Sequence, residues 1–133
     1  MKVICRSTTL TPQQRQALDQ VGQTDIYNFN VGEIYTVLGL SCGVDIDGGG
    51  LLHLAGPHYL LAAPLCLFDI VDPRPSRYWI ARKTEHTLSL RPEELYIDYF
   101  QDRLSDFEPE LIPIYRELCA RMESEFDDND KAL

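Results

Sequence analysis

Between residues 32 and 90 the chain alternates short β-favouring runs with turns of glycine, proline and aspartate, leaving no room for a long helix. Residues 32–40 are rich in β-branched and aromatic side chains and read as a strand. Residues 45–50 hold two aspartates and three glycines, the types that supply turn positions. Residues 51–62 return as a second strand, interrupted at Gly56 and Pro57, and residues 65–71 form a third. Pro73 and Pro75 fix φ in a rigid turn, after which 78–83 and 87–90 are the fourth and fifth strands. Such a series predicts an α+β protein. Its antiparallel sheet is either curled, as in a small SH3-like barrel, or laid out as a four-stranded meander.

Helical signals lie outside that stretch. Val3, Ile4 and Cys5 can add a short leading strand. Thr11 then opens a helix with Pro12 at its first position and Gln14 closing a capping box, and Gly22 stops it. Pro92 opens a second helix, with Leu95, Tyr96, Tyr99, Phe100, Leu104 and Phe107 on its apolar face. A third covers residues 110–126, with Leu111, Ile114, Tyr115, Leu118, Met122 and Phe126 facing inward and Glu117 paired to Arg121. The 133 residues make one domain, 1–126, followed by a flexible acidic tail, 127–133. With 44% hydrophobic residues the domain has apolar content for a core.

Charge is unevenly distributed. Residues 1–91 carry eight acids and eight bases, whereas residues 92–133 carry thirteen acids and four bases, which is the whole net charge of −9. Glu94, Asp98, Asp102 and Asp106 are spaced by four, so on a helix they form one drifting ridge, with Glu93 and Glu110 near its ends. The ridge is either a solvated face, a docking surface for a basic protein, or a cover for the basic cluster Arg74, Arg77, Arg82 and Lys83. Nucleic acid is a poor partner for an acidic chain, although Tyr78 and Trp79 interleave with that basic cluster.

Catalytic and metal motifs do not emerge. Asp45, Asp47 and Gly48 begin like a calcium loop, but Gly56 stands where its bidentate Glu is required. The same segment resembles the nucleophile loop of haloacid-dehalogenase-type phosphatases without that family's later Lys and paired Asp; a glycine-rich turn explains it more simply. Cys42, His53, His58 and Cys66 have the residue types of a zinc site but none of its paired spacings. No catalytic residue, metal ligand or cofactor is therefore assigned. Cys5, Cys42, Cys66 and Cys119 are expected as reduced thiols. The absence of a long apolar segment or signal-peptide core argues for a cytoplasmic protein without membrane contact.

Residues 32–40, residues 67–72 and Trp79 together resemble small bacterial immunity proteins of polymorphic or contact-dependent toxin systems. The resemblance implies a non-catalytic cytoplasmic protein that binds one cognate toxin and neutralises it. Glu93, Glu94, Asp98, Asp102, Asp106 and Glu110 are the candidate partner-binding residues. The alternatives are an SH3-like adaptor or subunit of an assembly, a homo-oligomer, and a metal-dependent hydrolase built on His53, His58, Asp45 and Asp47.

Overall fold

The computed structural model describes residues 1–17, 29–44, 46 and 48–127. Among these, seven strands form one antiparallel sheet: β1 (Lys2–Cys5), β2 (Ile34–Gly43), β3 (Gly50–Ala55), β4 (Leu60–Pro64), β5 (Phe68–Asp72), β6 (Ile80–Lys83) and β7 (Thr87–Arg91). The helices are α1 (Pro12–Ala17), α2 (Phe100–Ser105) and α3 (Leu111–Glu123). The expected α+β class is present. The sheet curls without closing: pairing runs β4-β3-β2-β1-β5, with β7 added to β2 and β6 to β7.

β2 organises this arrangement. β3 and β7 both pair with its residues 40–42 and so flank it on opposite edges, while β1 takes residues 34–36. The β2–β3 register shifts between Val37 and Gly39. A bulge reverses which face the following side chains meet. Tyr35 and Val37 accordingly belong to one core, Leu38 to a second, and Leu40 to the first again.

The first core gathers Val3, Cys5, Leu10, Phe29, Leu54 and Phe68. The second lies beneath the C-terminal helices, with Leu38 and Leu60 meeting Leu95, Phe100, Leu104 and Leu118. Trp79 packs against both, and its indole N–H donates to the Leu38 carbonyl at 2.9 Å. Tyr78 lies beneath the guanidinium of Arg121 at 4.6 Å. Both aromatics are half-buried and engaged inside the molecule.

Several local expectations are realised. Thr11 N–H donates to Gln14 Oε1 at 2.8 Å and Gln14 N–H to Thr11 Oγ1 at 3.1 Å, completing the capping box. The predicted end of that helix at Gly22 lies outside the described residues, as do Asp45, Asp47 and residues 128–133. The interruption at Gly56 separates β3 from β4. A Cβ there would sit 2.3 Å from the Tyr59 carbonyl oxygen, so only glycine permits that hairpin.

Other expectations are corrected. Residues 65–67 form a single 3-10 turn, so β5 begins only at Phe68. The third helix is shorter than 110–126 and ends at Glu123. Arg121 reaches Glu94 at 2.6 Å rather than pairing with Glu117. The largest correction concerns residues 92–107, which are not one helix. A 3-10 turn spans Glu93–Tyr96, Ile97 is extended, Tyr99 is left-handed, and only Phe100–Ser105 is α-helical. The Tyr96 hydroxyl donates to the Ile80 carbonyl at 2.7 Å, tying the turn to β6. Leu95 and Phe100 are both buried, a spacing that one regular helix does not place on a single face. Tertiary anchoring thus overrides a helical run that its own like charges already weaken.

Candidate functional site

α2 has six residues and an unusual residue at each end. Its N-cap is Tyr99, with φ 58° and ψ 26° and no side-chain capping bond. Serine, threonine, aspartate or asparagine ordinarily occupies that position, because a short polar side chain accepts from the exposed helix N–H groups. Beyond its C-terminus Phe107 has φ 57°. Phe107 N–H donates to the Leu104 carbonyl at 2.9 Å and Glu108 N–H to the Arg103 carbonyl at 3.2 Å. Those two bonds are the Schellman pattern, in which the left-handed position is usually glycine. Tyr99 and Phe107 are the two non-glycine residues with positive φ among the described residues.

Both side chains face solvent, Tyr99 at 77% and Phe107 at 62% exposure. The sequence assigned them to an apolar helix face, and this is corrected: only Leu95, Phe100 and Leu104 of that face are fully buried. Left-handed backbone costs a non-glycine residue roughly 1–2 kcal/mol. Neither aromatic recovers that cost through deep burial.

The acidic residues divide around them. Because the backbone turns at 97–99, a spacing of four does not produce one continuous ridge. Glu94 is half-buried and held by Arg121. Glu110 lies 3.8 Å from Arg103, which also binds Glu108 at 2.9 Å. Glu93 is exposed on the 3-10 turn. Asp98, Asp102 and Asp106 are exposed, and none forms an ion pair among the described residues. The open acidic face thus comprises these three aspartates, interleaved with Tyr99 and Phe107.

The basic cluster is partly covered, though by a different acid. Arg77 N–H donates to Glu125 Oε1 at 2.7 Å, and Glu125 is buried. Arg74 binds Asp72 at 2.6 Å, which holds the Asp72 carboxyl down at about 2, and its guanidinium lies 4.2 Å from the Phe126 ring. Arg82 stacks on Tyr96 at 4.0 Å. Asp98, Asp102 and Asp106 do not cover this cluster.

Beneath α2 a pocket of about 270 Å³ opens between the 3-10 turn and β3, β4 and β7. Leu60, Ala62, Leu95, Ile97 and Phe100 supply apolar walls, and Tyr99 and Asp102 line it as well. His53, Arg91 and Gln101 line it too. His53 Nε2, Arg91 Nε and Gln101 Oε1 are buried without a hydrogen-bond partner among the described residues. Burial, reinforced by the Arg91 charge, pushes the His53 imidazole down to about 4, so it is neutral at pH 7.

Cys42, His53, His58 and Cys66 do not meet. Cys42 lines an apolar pocket with Val3 and Leu52, His58 lies beside Phe107, and Cys66 is exposed. Among the described residues no three His, Cys, Asp or Glu side chains are grouped to hold a metal, and no helix is long and apolar enough to cross a membrane. Comparison with known family models, curated proteins and solved structures finds no match. Function is therefore argued from the geometry of this site.

Sequence reading found the aspartates but missed both the exposure of Tyr99 and Phe107 and the polar pocket. The first depends on where the helix breaks. The second joins residues separated by up to 48 positions, His53 and Gln101, and no local signal announces it.

Proposed function

We propose that this chain is a non-catalytic, cytoplasmic protein-binding protein of the immunity or antitoxin type, which neutralises a basic partner through the surface of α2. The observation that carries this reading is the pair of exposed aromatics held in left-handed backbone at the two ends of one short helix, with three unpaired aspartates between and beside them. Strained, non-glycine positions persist where something other than folding stability maintains them. Exposed tyrosine and phenylalanine make the large anchors that dominate binding energy, and nearby carboxylates steer a basic surface into register. Aromatic faces also attract arginine and lysine directly.

The adaptor alternative loses support because Trp79 and Tyr78 are engaged internally. The hydrolase alternative loses support because His53 and His58 serve different pockets.

The test begins with capture from native lysate by the wild-type chain and by a Tyr99→Ala/Phe107→Ala variant in parallel. A basic protein retained by the wild type and lost by the variant is then purified, and its toxicity measured with and without this chain co-expressed. Salt-sensitive binding and relief of toxicity support the proposal. Equal retention by both baits, or self-association alone, contradicts it.

A further inference from the structure

The first core is left open at one edge. In the β1–β5 ladder Ile70 stands opposite Val3, so both face the same side of the sheet, yet Val3 is fully buried and Ile70 is 53% exposed. In the β2–β3 ladder Cys42 stands opposite Gly50, which has no side chain to fill the space beside it. A Cβ on Gly50 would lie 2.8 Å from Leu65 Cδ2, so Leu65 leans over that glycine, and it too is 40% exposed. Among these residues lies a cavity of about 140 Å³, walled by Val3, Leu40, Cys42 and Leu52 and rimmed by the exposed Leu65 and Ile70.

The chemistry of that wall is uniform. Among the described residues no hydroxyl, amide or charged side chain lines the cavity, and the Cys42 thiol is only a weak donor. A trapped water needs about two to four polar partners, which these side chains do not supply. A charged ligand would give up its hydration with nothing to replace it. Apolar cavities of about 150 Å³ stay dry and take benzene, so size and lining together name the occupant. Met1 packs against this core and lines the cavity, adding a thioether, and sulfur makes favourable contacts with aromatic rings. We infer that this cavity binds a small uncharged ligand built on a single aromatic ring. It shares no lining residue with α2 or with the pocket beneath that helix, so this inference stands apart from the proposed role of α2.

Benzene and benzoate separate the requirements, since the two share the ring and differ in charge. Each is titrated into the purified full chain by amide chemical-shift mapping, and alkylation of the cysteines by iodoacetamide is followed in parallel by peptide mass spectrometry. Benzene is expected to give saturable shifts at Val3, Leu40 and Leu52 and to bind at least about tenfold more tightly than benzoate. It should slow alkylation of Cys42 in proportion to its occupancy and leave Cys119, which belongs to the second core, unchanged. Cys42→Phe fills the cavity from its wall and abolishes benzene binding, and Ile70→Trp closes the rim and weakens it by about tenfold. Thermal melts establish that both variants fold. If benzene gives no saturable shifts at these residues, or binds no better than benzoate, the inference is wrong. Undiminished binding by a folded Cys42→Phe or Ile70→Trp variant overturns it equally. So does a chain that sediments as a dimer and admits benzene only as it dissociates, since a second copy would then cover the cavity. Loss of partner capture in Tyr99→Ala/Phe107→Ala with benzene binding retained supports two separate sites.

Discussion

α3 and the segment 97–108 lie side by side over the same core, yet they follow opposite rules. α3 buries Leu111, Tyr115, Leu118 and Met122 on one face, and Pro113 sits in its first turn, where a missing N–H costs nothing. The Tyr115 hydroxyl donates to the Gly56 carbonyl at 2.6 Å, and Arg121 closes on Glu94. Each local preference agrees with the fold. In the segment 97–108, aromatics stand at cap positions, backbone is left-handed without glycine, and Asp98, Asp102 and Asp106 lack cations among the described residues. Only Phe100 and Leu104 anchor it fully. One element is organised for stability; the other carries left-handed backbone strain and leaves its aromatics exposed.

The largest effect that sharpens this contrast comes from Leu118→Ala, which removes a fully buried side chain of α3. Chemical denaturation should show a loss of about 3 kcal/mol, within the range for large cavities. Acidification comes next, through His53 in the pocket beneath α2. The unfolded His53 binds its proton near 6.5 and the folded one only near 4, so stability is full above that window and falls as pH drops through it. The ceiling is roughly 3 kcal/mol, and His53→Gln should flatten the loss between pH 7 and pH 4 in denaturation midpoints. Asp72, lowered from 3.8 to about 2 by Arg74, loses its contribution in a separate, more acidic window. Tyr115→Phe is smaller, costing about 1–2 kcal/mol by leaving the buried Gly56 carbonyl unpaired. Smallest, and opposite in sign, are Phe107→Gly and Tyr99→Asn. Each relieves left-handed strain, and each is expected to stabilise by about 0.5–1 kcal/mol in thermal or denaturant melts.

Legibility in the sequence follows the same division. The Thr11 capping box, the apolar face of α3 and the β-rich runs are local patterns, and local patterns survive folding when the tertiary structure reinforces them. β1 and the split at Gly56 were equally readable, since short apolar runs and Gly-Pro pairs carry their own meaning. Residues 92–107 mimic an amphipathic helix by spacing alone. Tyr96, bonded to β6, and the burial of both Leu95 and Phe100 decide otherwise, and neither contact is visible locally. Glu125 illustrates the same limit: in sequence it belongs to an acidic run, yet it is buried against the backbone of Arg77. For the site, the aspartates could be picked out from charge spacing, but the grouping of His53, Arg91 and Gln101 arises only when β3, β7 and α2 come together.

The most direct test of the central claim is the affinity of the captured partner for the Tyr99→Asn/Phe107→Gly double variant, measured beside its melting temperature. The account predicts a protein that melts higher than the wild type and binds at least about tenfold more weakly. A double variant that binds as tightly as the wild type would show that the strained aromatics serve no partner, and would contradict the account.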